Sequence, residues 1–249
     1  MEKTVLIAGK DFPDGREISS SAVLHRNKVI IAANPAEKDI QPSDDCIAVL
    51  WNRGSALSAR SLVISALNVN SSLDEAFLIF DEPYFASKYL NSSIADASRI
   101  FDELILSYQY LTSELSSRFN QKKIGSETSV KKIVFIHRSN ISIAQEVLNQ
   151  NQKYLTSSPS SPAVSAASAS FKAFAENTAA SLVENEDILP VLIEIPFDSE
   201  NLRKDSALVS WVCEYLDSLD NQKKSPSSRQ KVSWIKGGSR VSGGFSLFK

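Results

Sequence analysis

The chain has 249 residues, 43% of them hydrophobic and 22% charged, with a formal net charge of −2. Such a length and balance suit one soluble α/β core, and the lack of a basic excess excludes a charge-driven nucleic-acid or anionic-membrane binder. No apolar run approaches the roughly 18–20 residues of a membrane span, and Val5-Leu6-Ile7-Ala8 is too short for a secretory core, so the cytoplasm is the expected location.

In chain order, short apolar runs alternate with amphipathic segments. Strands are predicted at Thr4–Ala8, Val29–Ala33, Cys46–Leu50, Ala76–Phe80, Lys132–His137 and Val191–Ile195, with a short last one from Trp234–Ile235. These runs are continuously apolar, as strands covered on both faces are. Between the fourth and fifth, Ile94, Ala97, Phe101, Leu104, Tyr108, Leu111 and Leu115 step by three and four as one helical stripe. A second stripe runs Val164, Ala167, Phe171, Phe174, Thr178, Leu182, backed by Ala166, Ala169, Ala173, Ala179 and Ala180, and Asp205–Leu219 supplies another helix. The alternation predicts a doubly wound parallel sheet with helices on both faces, a Rossmann-like three-layer α/β/α single domain over 1–249. Polar loops are expected at 121–130 and 221–231, and a lengthened Ser/Pro-rich one at about 139–163, opening with a short helix at 141–154.

Residue scarcity limits the chemistry. With two histidines, His25 and His137, a three-histidine metal site is excluded, and no metal site is predicted. Cys46 and Cys213 sit in apolar stretches and read as buried thiols. Of the 8 glycines, only Gly9, Gly15, Gly54 and Gly125 precede the last thirteen residues. Asp81-Glu82 reads either as a solvated strand-end loop or as paired carboxylates. His137, beside Arg138 and Ser139, lacks an evident acid partner for nucleophilic chemistry.

Several fragments, in order, resemble the short-chain dehydrogenase/reductase family. Ala8-Gly9-Lys10-Asp11-Phe12-Pro13-Asp14-Gly15 is similar to its Thr-Gly-x-x-x-Gly-x-Gly turn, with Pro13 at the middle glycine. Ser168-Ala-Ser-Phe-Lys172 is similar to its Tyr-x-x-x-Lys, and Ile133-Val-Phe-Ile-His-Arg138 to the strand before it. Ile195-Pro196 and Lys236-Gly237-Gly238 fall where the family has Pro-Gly and a closing Asp-Gly-Gly. The resemblance spans the chain, with no motif intact.

That resemblance implies site positions and their departures. Ser168 stands at the catalytic tyrosine, Arg138 at the substrate-binding serine with Ser139 next to it, and Leu104 at the relay asparagine. A serine hydroxyl is too weakly acidic and too short to replace a phenol in proton transfer. Lys172 reads either as the retained family lysine, binding the nicotinamide ribose, or as a solvated helix lysine. For the cofactor, the resemblance implies Gly9, Gly15, Asn34, Asn52 and Lys172 as contacts and NAD(P) as the group, but Pro13, Asp11 and Asp14 oppose a phosphate there. Phe80-Asp81-Glu82-Pro83 replaces the family's Asn-Asn-Ala-Gly. No cofactor is therefore assigned.

The leading expectation is a degenerate relative that works by binding, as a scaffold or a sensor. In the family, the helices at about 94–118 and 164–183 and the C-terminal tail form subunit contacts. The resemblance thus implies a homo-oligomer, or a partnership with an intact relative. The alternative is an NAD(P)-dependent oxidoreductase with relocated groups, using Lys172 with Tyr154 or Ser139. A third reading, a Rossmann-like transferase, requires an anion pocket centred on Arg138.

Overall fold

The structure, a computed structural model, describes residues 3–35, 43–70, 72–121, 130–140, 160–221 and 233–239. The predicted short helix at 141–154, Tyr154, Gly125, the Lys/Ser/Gln-rich stretch after residue 221 and the apolar tail beyond residue 239 lie outside the described residues, as do most of the loops at 121–130 and 139–163.

The apolar runs form one parallel sheet: β1 (Thr4–Phe12), β2 (Lys28–Ala33), β3 (Cys46–Leu50), β4 (Glu75–Asp81), β5 (Lys131–Arg138), β6 (Ile188–Ile195) and β7 (Ile235–Lys236). Their order, β3-β2-β1-β4-β5-β6-β7, is the doubly wound arrangement, with its switch point between β1 and β4. Period-two alternation splits the core. Leu6, Ile30, Leu78 and Phe135 face one layer of helices, and Val5, Ile31, Phe77 and Val134 face the other. The first layer holds α2 (Ala56–Asn70), α4 (Ala97–Phe101), α5 (Ser107–Phe119) and α6 (Pro162–Ser181); the second holds α1 (Arg16–Val23) and α7 (Asp205–Asn221). The short α3 (Glu82–Lys88) follows β4 without a break. Among the described residues, no helix is long and apolar enough to cross a membrane.

Two expectations need correction. First, β1 does not stop at Ala8. It runs on to Phe12, whose register partner is Ala33, so most of the presumed glycine turn is strand. Second, the stripe from Ile94 is not one straight face. Asp102–Leu106 is a π-helical turn between α4 and α5, and its extra residue rotates everything before it. Ile94 is therefore 95% exposed, and Ile100 takes the buried place above Leu104, Tyr108, Leu111 and Leu115. On α6 the buried face is Val164, Ala167, Ser168, Phe171, Ala175 and Ala179. Phe174 and Thr178 are only half-buried. Both cysteines are buried free thiols.

Candidate functional site

In this architecture ligands bind beyond the carboxyl ends of the strands at the switch point. Here that crest carries three side-chain groupings. The first centres on Arg53, in the loop between β3 and α2, which is only 7% exposed. Its Nε and Nη2 donate to the two oxygens of Asp11 at 2.8 and 3.0 Å. Nη2 also donates to the Gly9 carbonyl at 2.5 Å, and Nη1 to that of Glu103 at 3.3 Å. The guanidinium lies over the rings of Trp51, Phe85 and Tyr108, 4.9, 5.5 and 5.9 Å from their centroids. Burial opposes its charge, but Asp11 and the Tyr108 phenol outweigh that and raise its pKa.

The second grouping is an ion-pair ring. Arg138, at the end of β5, donates from Nη1 to Asp81 at 2.7 Å and to Asp205 at 2.8 Å. Lys10 donates to Asp205 at 2.6 Å and lies 3.7 Å from Asp81. Two cations thus meet two carboxylates; Arg138 Nη2 also donates to the Leu202 carbonyl at 3.4 Å, and its Nε has no partner among the described residues. Among the described residues, the groups that meet Arg138 Nη1 are the carboxylates of Asp81 and Asp205, so this Nη1 is paired with acids of the chain and not held open for an anion. Asp81 also caps α3 by accepting from the Tyr84 N–H at 3.1 Å.

The third is a buried chain. Ser168 on α6 donates to Glu82 at 3.0 Å and lies 2.8 Å from His137 Nε2. A hydroxyl has one proton, so Nε2–H donates to Ser168 and Nδ1 is the bare nitrogen. Nδ1 has no partner among the described residues. Burial, helped by Lys172, lowers the His137 pKa to about 4, so the ring is neutral near pH 7. A nucleophilic serine needs the opposite: a histidine that accepts its proton and an acid on the other ring nitrogen. Asp81 and Glu82 are both buried, and the solvated-loop reading of this pair is overturned: Arg138 and Ser168, far along the chain, supply the partners that burial demands.

The remaining predicted residues are scattered around this crest. Lys172 is half-buried, donates to Glu194 at 2.7 Å and sits over the Trp234 ring. Ser139 turns away toward β6, donating to the Ile195 carbonyl and accepting from the Phe197 N–H. Asn34 donates its backbone N–H to the Phe12 carbonyl at 3.2 Å. Asn52 is exposed and accepts from the Gly54 N–H. Gly9 has φ +125, and a Cβ there would sit 1.9 Å from the Ile79 carbonyl oxygen; that close approach to β4 is what requires glycine. Gly15 caps α1, and a Cβ on it would meet the Lys10 carbonyl oxygen at 2.1 Å. Leu104 is buried in the core. Sequence reasoning passed over Arg53, although a Trp-Asn-Arg-Gly run at a strand's carboxyl end was the available signal.

No protein-family model and no curated protein matches the sequence. Solved structures do. A short chain dehydrogenase from Mycobacterium smegmatis superposes with a TM-score of 0.60 at 13% identity, over 96% of this chain and 92% of its own. The chain has the short-chain dehydrogenase/reductase fold. A second example, a short-chain dehydrogenase/reductase from Burkholderia phymatum in complex with NAD, gives a TM-score of 0.56 at 13% identity, over 94% and 88% of the two chains.

At the other end of this short-chain-dehydrogenase-like sheet, Glu75, Asp217 and Asp220 form the one carboxylate grouping tight enough for a cation among the described residues. Lys3, Arg26 and Lys132 already meet it.

Proposed function

We propose that this protein works by binding, as a scaffold or a sensor, and does not transfer hydride. The observation that carries this reading is the filling of the crest by the chain's own charges. A dinucleotide needs unpaired N–H donors at the start of α1 and open space above β1. Here the Gly9 N–H donates to Asp11, and the Gly15 and Arg16 N–H groups donate to the Asp11 and Pro13 carbonyls. The Asp11 carboxylate lies where a phosphate would rest, and Arg53 closes the space beside it. These residues do not fit NAD(P). Ser168, Arg138 and Leu104, at the positions of the tyrosine, serine and asparagine in the resemblance, support the same reading. Ser168 is tied into a buried chain and Arg138 into an ion-pair ring.

The competing oxidoreductase reading requires Lys172 to leave Glu194 and, where Ser139 and not Tyr154 is its partner, Ser139 to leave its two backbone partners. A titration decides between them. Followed by fluorescence or calorimetry, NADH and NADPH up to millimolar are expected to give no saturable signal. Tight binding that is lost in Lys172→Ala overturns the proposal.

Self-association belongs to the same proposal. Ala166, Ala169, Ala173 and Ala180 are exposed on the outer side of α6, a small-residue face that lets another helix approach closely. The occupant is a second copy of this chain, and a relative with an intact site would use the same face. Sedimentation is expected to show a dimer or larger species, and Ala169→Arg is expected to leave a folded monomer. A monomeric unsubstituted protein refutes this part.

A further inference from the structure

The Arg53 slot has the chemistry of a receptor. Its parts come from separate places in the chain: the Asp11 carboxylate and Gly9 carbonyl from β1, Trp51 from the end of β3, Phe85 from α3, the Glu103 carbonyl from the π turn and Tyr108 from α5. Several of these are held without Arg53. The Tyr108 hydroxyl donates to the Ile79 carbonyl at 2.5 Å, Phe85 packs edge-on against Phe80, and Asp11 accepts from the Gly9 N–H. Carboxylate and carbonyl oxygens ring the edge of the guanidinium, and aromatic rings flank it. That is the pattern by which a planar, fork-shaped cation is recognised in preference to a point charge. Its sign is opposite to that of the anion site a glycine-rich turn makes in this architecture.

We propose that the Arg53 slot at the crest of this sheet is a guanidinium receptor filled in cis by Arg53, and that the ligand class it takes when vacated is an alkylguanidinium. The inference rests on the reading that no dinucleotide occupies the crest. Arg53 thereby closes the strand ends and joins the β3–α2 loop to β1 and the α4–α5 turn.

Arg53→Ala vacates the slot, and ethylguanidinium contains the atoms that substitution removes. Millimolar ethylguanidinium is expected to raise the Tm of Arg53→Ala saturably by roughly 5 °C or more. At matched ionic strength, ethylammonium is expected to leave it unchanged, and the unsubstituted protein is expected not to respond. No rise, an equal rise with ethylammonium, or a rise with ADP-ribose in the variant each overturns the receptor. If Arg53→Ala does not fold by itself, it is refolded from urea with each cation and followed by near-UV circular dichroism. Recovery with ethylguanidinium alone supports the proposal, and no recovery with either sinks it. Binding of ADP-ribose by the unsubstituted protein would instead strike the proposed function, and the ethylguanidinium result would still decide the slot.

Discussion

Arg138→Met is expected to destabilise the protein by about 3–5 kcal/mol, among the largest effects of any single substitution here. The reason is what it leaves behind. Asp81 and Asp205 are buried, and Arg138 bridges them at 2.7 and 2.8 Å. Methionine fills much of the volume, so the loss measures the uncompensated carboxylates more than a cavity. Lys10 remains, bonded to Asp205 but 3.7 Å from Asp81, so Asp81 bears most of the penalty. Adding Asp81→Asn to Arg138→Met should therefore recover part of the stability, a sign of coupling that independent sites do not give. Urea unfolding followed by tryptophan fluorescence measures both, with an unchanged m-value as the check that the transition is the same one. A single-variant loss below about 1 kcal/mol would mean that water screens the ring as it does a surface pair.

The second large effect is a pH dependence set by His137, which is 2% exposed. Its pKa falls from the ordinary 6.5 to about 4 in the folded protein, mainly through burial and then through Lys172. The unfolded chain therefore takes up this proton more readily than the folded one. Stability from the neutral ring is complete above pH 6.5 and is lost as the pH falls toward 4, by about 3 kcal/mol in all. The groups facing the ring are Ser168 with Glu82 behind it, the Lys172–Glu194 pair and Trp234, with Phe80 and Phe171 stacked on it. No carboxylate reaches Nδ1 among the described residues to rescue the charged form. His137→Gln keeps an amide donor near Ser168 and removes the titration. The difference in unfolding free energy between the two proteins should accordingly shrink from pH 7 to pH 4. A difference that stays constant over that range refutes the assignment.

The strands were legible because each is a continuous apolar run, a feature that survives without knowledge of its neighbours. Even the two-residue β7 was signalled by Trp234–Ile235. The end of β1 was misread for a definable reason. Gly9 looks the same in a phosphate turn and in a strand that bends past a carbonyl; only Ile79, 70 residues on, tells them apart. The π turn was hidden likewise, since one extra residue changes the face of α4 without changing the composition of the run.

The crest was the least legible part. Asp81 and Glu82 read as solvated because an isolated acid pair usually is. Their burial depends on Arg138 and Ser168, 57 and 86 residues away in sequence. The Trp51-Asn52-Arg53-Gly54 run marks the place of Arg53 but not its partners: its meaning lies in Asp11, Gly9, Phe85 and Tyr108 meeting at one point. By itself the sequence determined the fold class and the strand boundaries to within a few residues, because hydrophobic periodicity is local. The tertiary structure alone decided which charges pair and what fills the strand ends, because a buried charge is stable only beside partners that the fold brings from elsewhere in the chain.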